Sequence, residues 1–278
     1  MPTVTAITVA YGSFGVIPDM VRSLPDGVPL VIVDNGPDDG LRAWAAQAGI
    51  PVRRPGANLG FGRGCNLGAE GVTTEFLLFI NPDARLEPGA LDALMAAAGR
   101  HPEGAAFGPM LVHEDGRPRY KRNSYLLPGA KKPPRDPGPE DREVGVLSGA
   151  VLLVRRAAFE AVGGFDPAIF LYFEDDDLSL RLRKAWGPVF VVPGARAFHT
   201  NGRGSAPSAA TSRWKGYQWA RARVHVGRKH GRPLPLLSAL WDGISHLVSP
   251  KSWTGAEHRD EAIGRIMGAL SMSKTSVT

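Results

Sequence analysis

Cysteine is nearly missing from this 278-residue chain: Cys65 stands alone, which excludes an internal disulfide framework and any zinc site built from several thiolates. Long apolar runs are missing too. Stretches such as Phe76 to Ile80 and Ala150 to Val154 are far too short to span a bilayer. Met1 to Thr5 has no basic leader and alternates like a strand, so no signal peptide is expected. The expected location is the cytoplasm, with the inner face of the membrane left open. No internal repeat is present. Carboxylates are absent from one long stretch, Leu178 to Trp241, which holds twelve Lys/Arg and no Asp or Glu. The formal charge of +6 arises from that band, since the remainder of the chain is net acidic. Such a band can face phosphates, an anionic membrane, nucleic acid or only solvent.

The rest is an ordinary globular mixture. With 43% hydrophobic and 22% charged residues, a disordered or fibrous chain is excluded. The length allows one large domain or two small ones, with a core able to hold a deep cleft.

Through the first hundred residues, short β-like runs alternate with helical stretches. Strands are expected at Thr3 to Ala10, Leu30 to Val33, Val52-Arg53 and Phe76 to Ile80, and helices around Ile17 to Leu24, Leu41 to Ala48, Leu59 to Glu70 and Gly89 to Ala98. That alternation predicts a Rossmann-like, mostly parallel α/β sheet flanked by helices, with ligands beyond the carboxyl ends of the strands. Each of three strands ends in polar residues: Tyr11, then Asp34-Asn35-Gly36, then Asn81-Pro82-Asp83. One edge would collect them all. Residues 117–143 turn rich in Pro, Arg, Lys and Gly, which reads either as a mobile functional loop or as a surface insertion. Val144 to Val154 resumes regular structure, and beyond Ser205 the chain reads as helical at Trp214 to Lys229, Leu236 to Val248 and Glu257 to Leu270.

The sharpest chemical cluster is Phe170-Leu171-Tyr172-Phe173-Glu174-Asp175-Asp176-Asp177-Leu178. Four adjacent carboxylates repel one another, a cost that a cation or a proton-accepting role would explain. Acidic residues in a helix's first turn also suit its dipole, which accounts for part of the run. Pro82 fixes the turn before Asp83, a hard oxygen donor suited to Mg²⁺ or Mn²⁺; a plain Asx turn is the alternative. His199 follows a strand at Val189 to Val192 and is either structural or a ligand. Gly60, Gly62, Gly64 and Gly68 do not make a dinucleotide fingerprint, because the third glycine falls on Cys65 or Leu67. They read instead as a helix brought close to the sheet or to a ligand.

Seven ordered blocks carry a resemblance. They are Val9-Ala10-Tyr11; Val31 to Gly36; Asn58 to Asn66; Leu78 to Ala84; Ser148-Gly149-Ala150 with Arg155-Arg156; Gly163 to Asp166; and Phe170 to Leu178 with His199. In this order they resemble family 2 glycosyltransferases, in their bacterial rhamnosyltransferase-like branch. The resemblance implies a GT-A fold over residues 1–205, with a nucleotide-sugar-binding half (1–110), an acceptor-binding half (111–205) and a helical C-terminal extension (206–278). It further implies an inverting transferase that uses a divalent metal and moves a sugar from a nucleotide-sugar donor to a glycan or lipid-linked acceptor in cell-surface polysaccharide synthesis. A dTDP-deoxysugar such as dTDP-rhamnose and a UDP-sugar are both open as donor. Carried over by position, Tyr11 and Asp34 meet the nucleoside, and Asn58 and Arg63 approach the donor. Asn81 and Asp83 stand in the metal motif, and His199 reaches the metal or diphosphate. Gly149 and Ala150 line the sugar pocket, and Asp175 is the base with Glu174 beside it. The acidic run leaves Asp177 open as an alternative base.

Two other readings stand beside this one. A sugar nucleotidyltransferase would carry Arg and Lys directly after the first strand, where Tyr11-Gly12-Ser13-Phe14 offers neither. An inactive binding module would have lost the carboxylates. In residues 213–232, basic side chains alternate with Trp214, Tyr217 and Trp219, a pattern for peripheral membrane contact or for a helix packing its aromatics inward. No nucleic-acid-binding signature accompanies them.

Overall fold

The computed structural model describes residues 3–37, 40–113, 115–129, 132–200 and 208–273. The chain forms two compact units, Met1–Asp166 with Asp175–Ser205, and Pro167–Glu174 with Ala206–Thr278. The boundary expected between residues 205 and 206 lies outside the described residues, as do Met1-Pro2 before the first strand and Asn201-Gly202 after His199.

The first unit opens as the sequence leads one to expect. β1 (Val4–Ala10), α1 (Ile17–Ser23), β2 (Leu30–Asp34), α2 (Leu41–Gln47), β3 (Val52–Arg53), α3 (Phe61–Ala69) and β4 (Phe76–Ile80) alternate in order. It continues through β5 (Ala84–Leu86), α4 (Ala90–Arg100), β6 (Ala106–Val112), β7 (Pro118–Arg119), β8 (Arg142–Val144), β9 (Val151–Arg155), α5 (Arg156–Ala161), α6 (Glu174–Ala185) and β10 (Val189–His199). One sheet runs β3-β2-β1-β4-β9-β6-β10-β5, with β7 on β6 and β8 on β10. β3, β2, β1 and β4 are mutually parallel, and β9 then pairs antiparallel with both β4 and β6. β10 pairs parallel with β6, so along this path only β9 and β5 run against the others, and the sheet is mostly parallel as expected. Val144 to Val154, which reads as one segment, is two strands split at Ser148-Gly149-Ala150. β10 runs past Val192 to His199 through an irregularity between Val192 and Arg196.

Alternation along buried strands builds a core on each face. In β4, Phe76, Leu78 and Ile80 join Ile17, Met20, Ile32 and Leu94 on one side; Leu77 and Phe79 join Ile7, Val33, Phe159 and Phe165 on the other. Helix α3 lies against the second face, and its glycines set how closely. A Cβ at Gly68 would come within 2.4 Å of Ile7, at Gly64 within 2.8 Å of Val9, and at Gly62 within 2.9 Å of Phe165. Close approach, rather than a phosphate-binding fingerprint, explains these residues. Arg155 and Arg156 act as struts: Arg155 donates to the carbonyls of Ala98 and Gly104, and Arg156 to that of Thr74. The Asn66 amide binds both backbone groups of Phe165 at 2.8 Å, just after Gly163 and Gly164 turn the chain with left-handed backbone.

The second unit is helical: α7 (Ala209–Lys229), α8 (Pro235–Leu247), α9 (Pro250–Thr254) and α10 (Ala256–Ser271). Ser208 caps α7 by accepting from the Thr211 N–H. Helices α7 and α10 touch backbone to backbone. A Cβ at Gly216, Gly264 or Gly268 would lie 2.0–2.2 Å from a carbonyl of the facing helix. Trp219 is flanked by the guanidiniums of Arg223 (5.0 Å) and Arg265 (4.2 Å), and Arg213 pairs with Asp260. Phe170 and Phe173 set their rings against Trp214 and Trp219. Much of the basic-aromatic pattern of α7 is thus spent within the unit. The outward apolar residues lie elsewhere: Leu237, Trp241, Ile244 and Val248 recur at helical spacing along α8 and are 44–72% exposed, and Trp253 on α9 is 78% exposed.

Candidate active site

Parallel pairing of β1, β2 and β4 brings their carboxyl ends to one edge, which is why the polar strand ends gather there. Asp34 sits in register with Ala10 and is buried. One oxygen accepts the Gly36 N–H at 3.1 Å, and the other faces Arg54 Nε at 3.3 Å. Tyr11, the next residue after β1, is 54% exposed. Asn35 donates to the Gly60 carbonyl, and the Asn58 side chain accepts the Gly60 N–H, so both asparagines fasten the start of α3. Arg63 is exposed on that helix.

At the end of β4 the chain turns on Asn81-Pro82-Asp83, with the Ala84 N–H closing onto the Asn81 carbonyl at 3.0 Å. Short strand β5 follows and pairs antiparallel with β10, setting His199 opposite Ala84. His199 Nε2 consequently lies 3.3 Å from Asp83 Oδ1 and 3.5 Å from the Asn81 amide. Thr200 donates its hydroxyl to the other Asp83 oxygen at 3.0 Å. His199 Nδ1 is buried with no hydrogen-bond partner among the described residues. The Asp83 carboxylate, the Asn81 side-chain amide and the Nε2 of His199 form a donor set that fits a divalent cation such as Mg²⁺ or Mn²⁺, while the unpartnered Nδ1 lies on the other side of the ring. In the second unit, His246, His258 and Glu261 also lie within 4.8 Å of one another. There, Glu261 is already paired with Arg265 at 2.6 Å, and the two imidazoles rest against each other with centroids 4.0 Å apart. Burial, Arg265 and His258 together lower the His246 pKa.

The acidic run separates into distinct environments. Asp177 is fully buried and bound by Arg181 at 2.7 Å, and Arg181 also donates to the carbonyls of Val162 and Gly164. The Asp177 carboxylate is thus already held inside the fold by its own cation. Asp175 keeps some exposure; its Oδ2 accepts the Gly149 N–H at 2.9 Å and Lys121 Nζ at 2.8 Å, and its Oδ1 accepts the Asp176 N–H. A Cβ on Gly149 would stand 3.2 Å from that of Asp175, so glycine lets the backbone reach the carboxylate. Ala150 is buried beside β4, its carbonyl accepting the Asn81 N–H at 2.8 Å. Lys121 also pairs with Asp176 at 2.8 Å. Burial disfavours the ammonium, but the two carboxylates outweigh it and raise the Lys121 pKa above the usual lysine value. Burial, together with the Asp175 charge, pushes Asp176 up to about 6 against the pull of Lys121.

Glu174, at the head of α6, is buried and falls in the second unit. Tyr172 and Phe173 before it both adopt left-handed backbone, at φ 71° and 64°. For side chains this large that is strain of about 1–3 kcal/mol each, held by the packing around them. Burial, with Glu261 and Glu174 nearby, pushes the Tyr172 phenol up to about 12.

Known proteins extend this picture. Residues 5–163 match the sequence profile of Glycosyl transferase family 2. An N-acetylglucosaminyl-diphospho-decaprenol L-rhamnosyltransferase of Mycobacterium tuberculosis is 38% identical over 204 residues, covering 62% of this chain and 66%, just under two thirds, of that relative. The low-salt glycan biosynthesis hexosyltransferase Agl10 of Haloferax volcanii is 23% identical over 193 residues, covering 64% of this chain and 61% of that protein. Among solved structures, the mannosyltransferase PcManGT from Pyrobaculum calidifontis in complex with GDP-Man and Mn²⁺ is similar with a TM-score of 0.59 at 14% identity, covering 99% of this chain and 88% of that one. At that identity the likeness shows the fold, which is GT-A. The ordered motifs, the fold and a profile match across more than half of its length lead to one conclusion: the chain belongs to glycosyl transferase family 2.

Proposed function

We propose that this protein transfers a sugar, with inversion, from a nucleotide-sugar donor to a hydroxyl of a lipid-linked glycan acceptor in cell-surface polysaccharide synthesis. The convergence of Asn81, Asp83 and His199 from segments more than a hundred residues apart carries the reading. Asp83 and His199, with the Asn81 amide, would hold a divalent cation, which when bound offsets charge growing on a leaving diphosphate. Asp34 and Tyr11 bind the nucleoside, and Asn58 and Arg63 approach the donor. Asp175 takes the acceptor's proton, with Gly149 and Lys121 fixing its orientation, Glu174 beside it and Ala150 along the sugar pocket. Burial of Asp177 against Arg181 favours Asp175 over it as the base. Residues 1–205 serve as the catalytic domain, donor half 1–110 and acceptor half 111–205, and residues 206–278 as an extension.

The donor is a dTDP-deoxysugar, a choice supported by the name of the Mycobacterium relative, and that relative's diphospho-decaprenol acceptor favours a lipid-linked diphosphate. Peripheral contact with an anionic lipid surface belongs to the same reading. The sequence points to residues 213–232 for it, and the exposed apolar line of α8 adds the side chains that would enter the interface. Incubation with dTDP-rhamnose, Mn²⁺ and a short-chain GlcNAc-diphospholipid tests the reading by mass and anomeric configuration of the product. A single added deoxyhexose with inverted configuration is expected; a retained configuration contradicts the single-displacement chemistry, and no transfer from any nucleotide sugar contradicts the activity.

A further inference from the structure

Residues 117–123 and Arg135 line a cavity of about 570 Å³, four arginines and Lys121 among them. That volume lies within the roughly 300–1,000 Å³ usual for small-molecule sites. Among the described residues no carboxylate lines it. Of the acidic residues in 117–143, Asp141 pairs with Arg100 and His101, Glu143 with Arg183, Asp136 accepts the Gly138 N–H, and Glu140 is exposed. Lys121 is committed to Asp175 and Asp176, and Arg119 to Asp115. Arg122 gives its Nε to the neutral Pro133 carbonyl, and Arg117 and Arg135 have no side-chain partner among the described residues. The lining is thus cationic, and Arg117, Arg122 and Arg135 have no carboxylate partner among the described residues, so a compact polyanion would gain most there. Planar guanidinium forks match phosphate oxygens in pairs.

We infer that this cavity binds the diphosphate of the acceptor, through Arg117, Arg122 and Arg135. The inference rests on the proposed lipid-diphosphate acceptor and adds where that group is held. Its placement follows from Lys121, a residue that lines the cavity and whose ammonium touches Asp175 at 2.8 Å. An acceptor anchored there by its diphosphate presents its sugar toward the carboxylate assigned to take the proton. A diphosphate could equally come from the donor, so the test must separate the two.

Calorimetry on the full chain provides it, without turnover. The R117A/R135A protein is titrated with a short-chain GlcNAc-diphospholipid, with the same lipid lacking the diphosphate, and with dTDP-rhamnose plus Mn²⁺. The wild type is expected to bind the diphospholipid at least tenfold more tightly than the lipid without diphosphate. The double variant should lose that advantage while binding the nucleotide sugar unchanged, and R117K/R135K should recover part of it. Equal diphospholipid affinity in wild type and double variant would overturn the assignment. A parallel loss of nucleotide-sugar affinity would overturn it in favour of the donor's diphosphate. If the wild type binds nucleotide sugar but no diphospholipid, the cavity assignment fails while the transferase reading stands; failure to bind any nucleotide sugar defeats the transferase reading itself.

Discussion

At Asp175 the carboxylate is met by two donors of different kinds, a backbone N–H that cannot move away and a lysine on a long surface segment that can. Replacing it by Asn keeps an oxygen for Gly149 but removes the proton acceptor. Turnover of D175N is expected to fall by roughly 10²–10⁴-fold with donor affinity unchanged, the usual contribution of a positioned general base; steady-state kinetics with a binding isotherm checks both halves. Removing the cation is a different experiment. In Lys121→Met, Asp175 and Asp176 face each other with no ammonium between them. Asp176, pushed up to about 6 from an ordinary 3.8, binds its proton more tightly in the folded state. Its contribution to stability is therefore present at low pH and is lost as pH rises from about 4 through 6. The K121M deficit should be small at pH 5 and grow to about 2 kcal/mol by pH 7.5, less than the 3–5 kcal/mol of a fully buried pair because Lys121 keeps some solvent. Thermal melts of both proteins across that range decide it, and an equal deficit at both ends would remove the electrostatic account.

Among the elements, α3 shows why a glycine-rich helix need not bind phosphate. Gly68→Ala would drive a methyl into Ile7 at 2.4 Å, costing roughly 1–3 kcal/mol, or a fall of several degrees in melting temperature. Gly99→Ala, on α4 with open space around its Cβ, should instead stabilise by up to about 1 kcal/mol through helix propensity alone. The two variants in one melting experiment separate contact from propensity. The same elements mark what the sequence could disclose. Polar residues closing apolar runs made Asp34, Asn81 and Asp83 legible, and the strand–helix rhythm up to β4 is plain in the hydrophobic pattern. The antiparallel direction of β9 was not, because direction depends on how the chain returns and not on which residues alternate. Strand β5 is only three residues long with an arginine at its centre, so the pairing that brings His199 to Asp83 left no periodic trace. Lys121 was missed for a related reason: in a segment rich in Pro and Arg nothing distinguishes one cation from its neighbours until the fold sets it on Asp175.

Over the whole molecule, charge and apolar surface are distributed unevenly. The +6 charge is concentrated in the stretch from Leu178 to Trp241, and the largest exposed apolar side chains cluster on α8 and α9 in the second unit. Among the described residues no helix is long and apolar enough to cross a membrane. Contact with lipid would then be interfacial. Full-length protein should sediment with vesicles containing phosphatidylglycerol more than with neutral ones, and W241S/W253S should reduce the bound fraction without altering the melting temperature. Equal recovery of wild type and variant would assign those tryptophans another role.

The central claim is that a nucleotide sugar and a divalent metal meet at Asp83. A melting-temperature panel of dTDP-, UDP- and GDP-sugars, each with Mn²⁺ and with EDTA, tests it most directly, on wild type and D83A side by side. A ligand at a hundred times its dissociation constant adds about 2.7 kcal/mol, a rise of several degrees for a protein of this size. The account predicts that rise for one nucleotide class, in Mn²⁺ only, and its loss in D83A. A rise that survives both EDTA and D83A, or no rise with any nucleotide sugar, would contradict it.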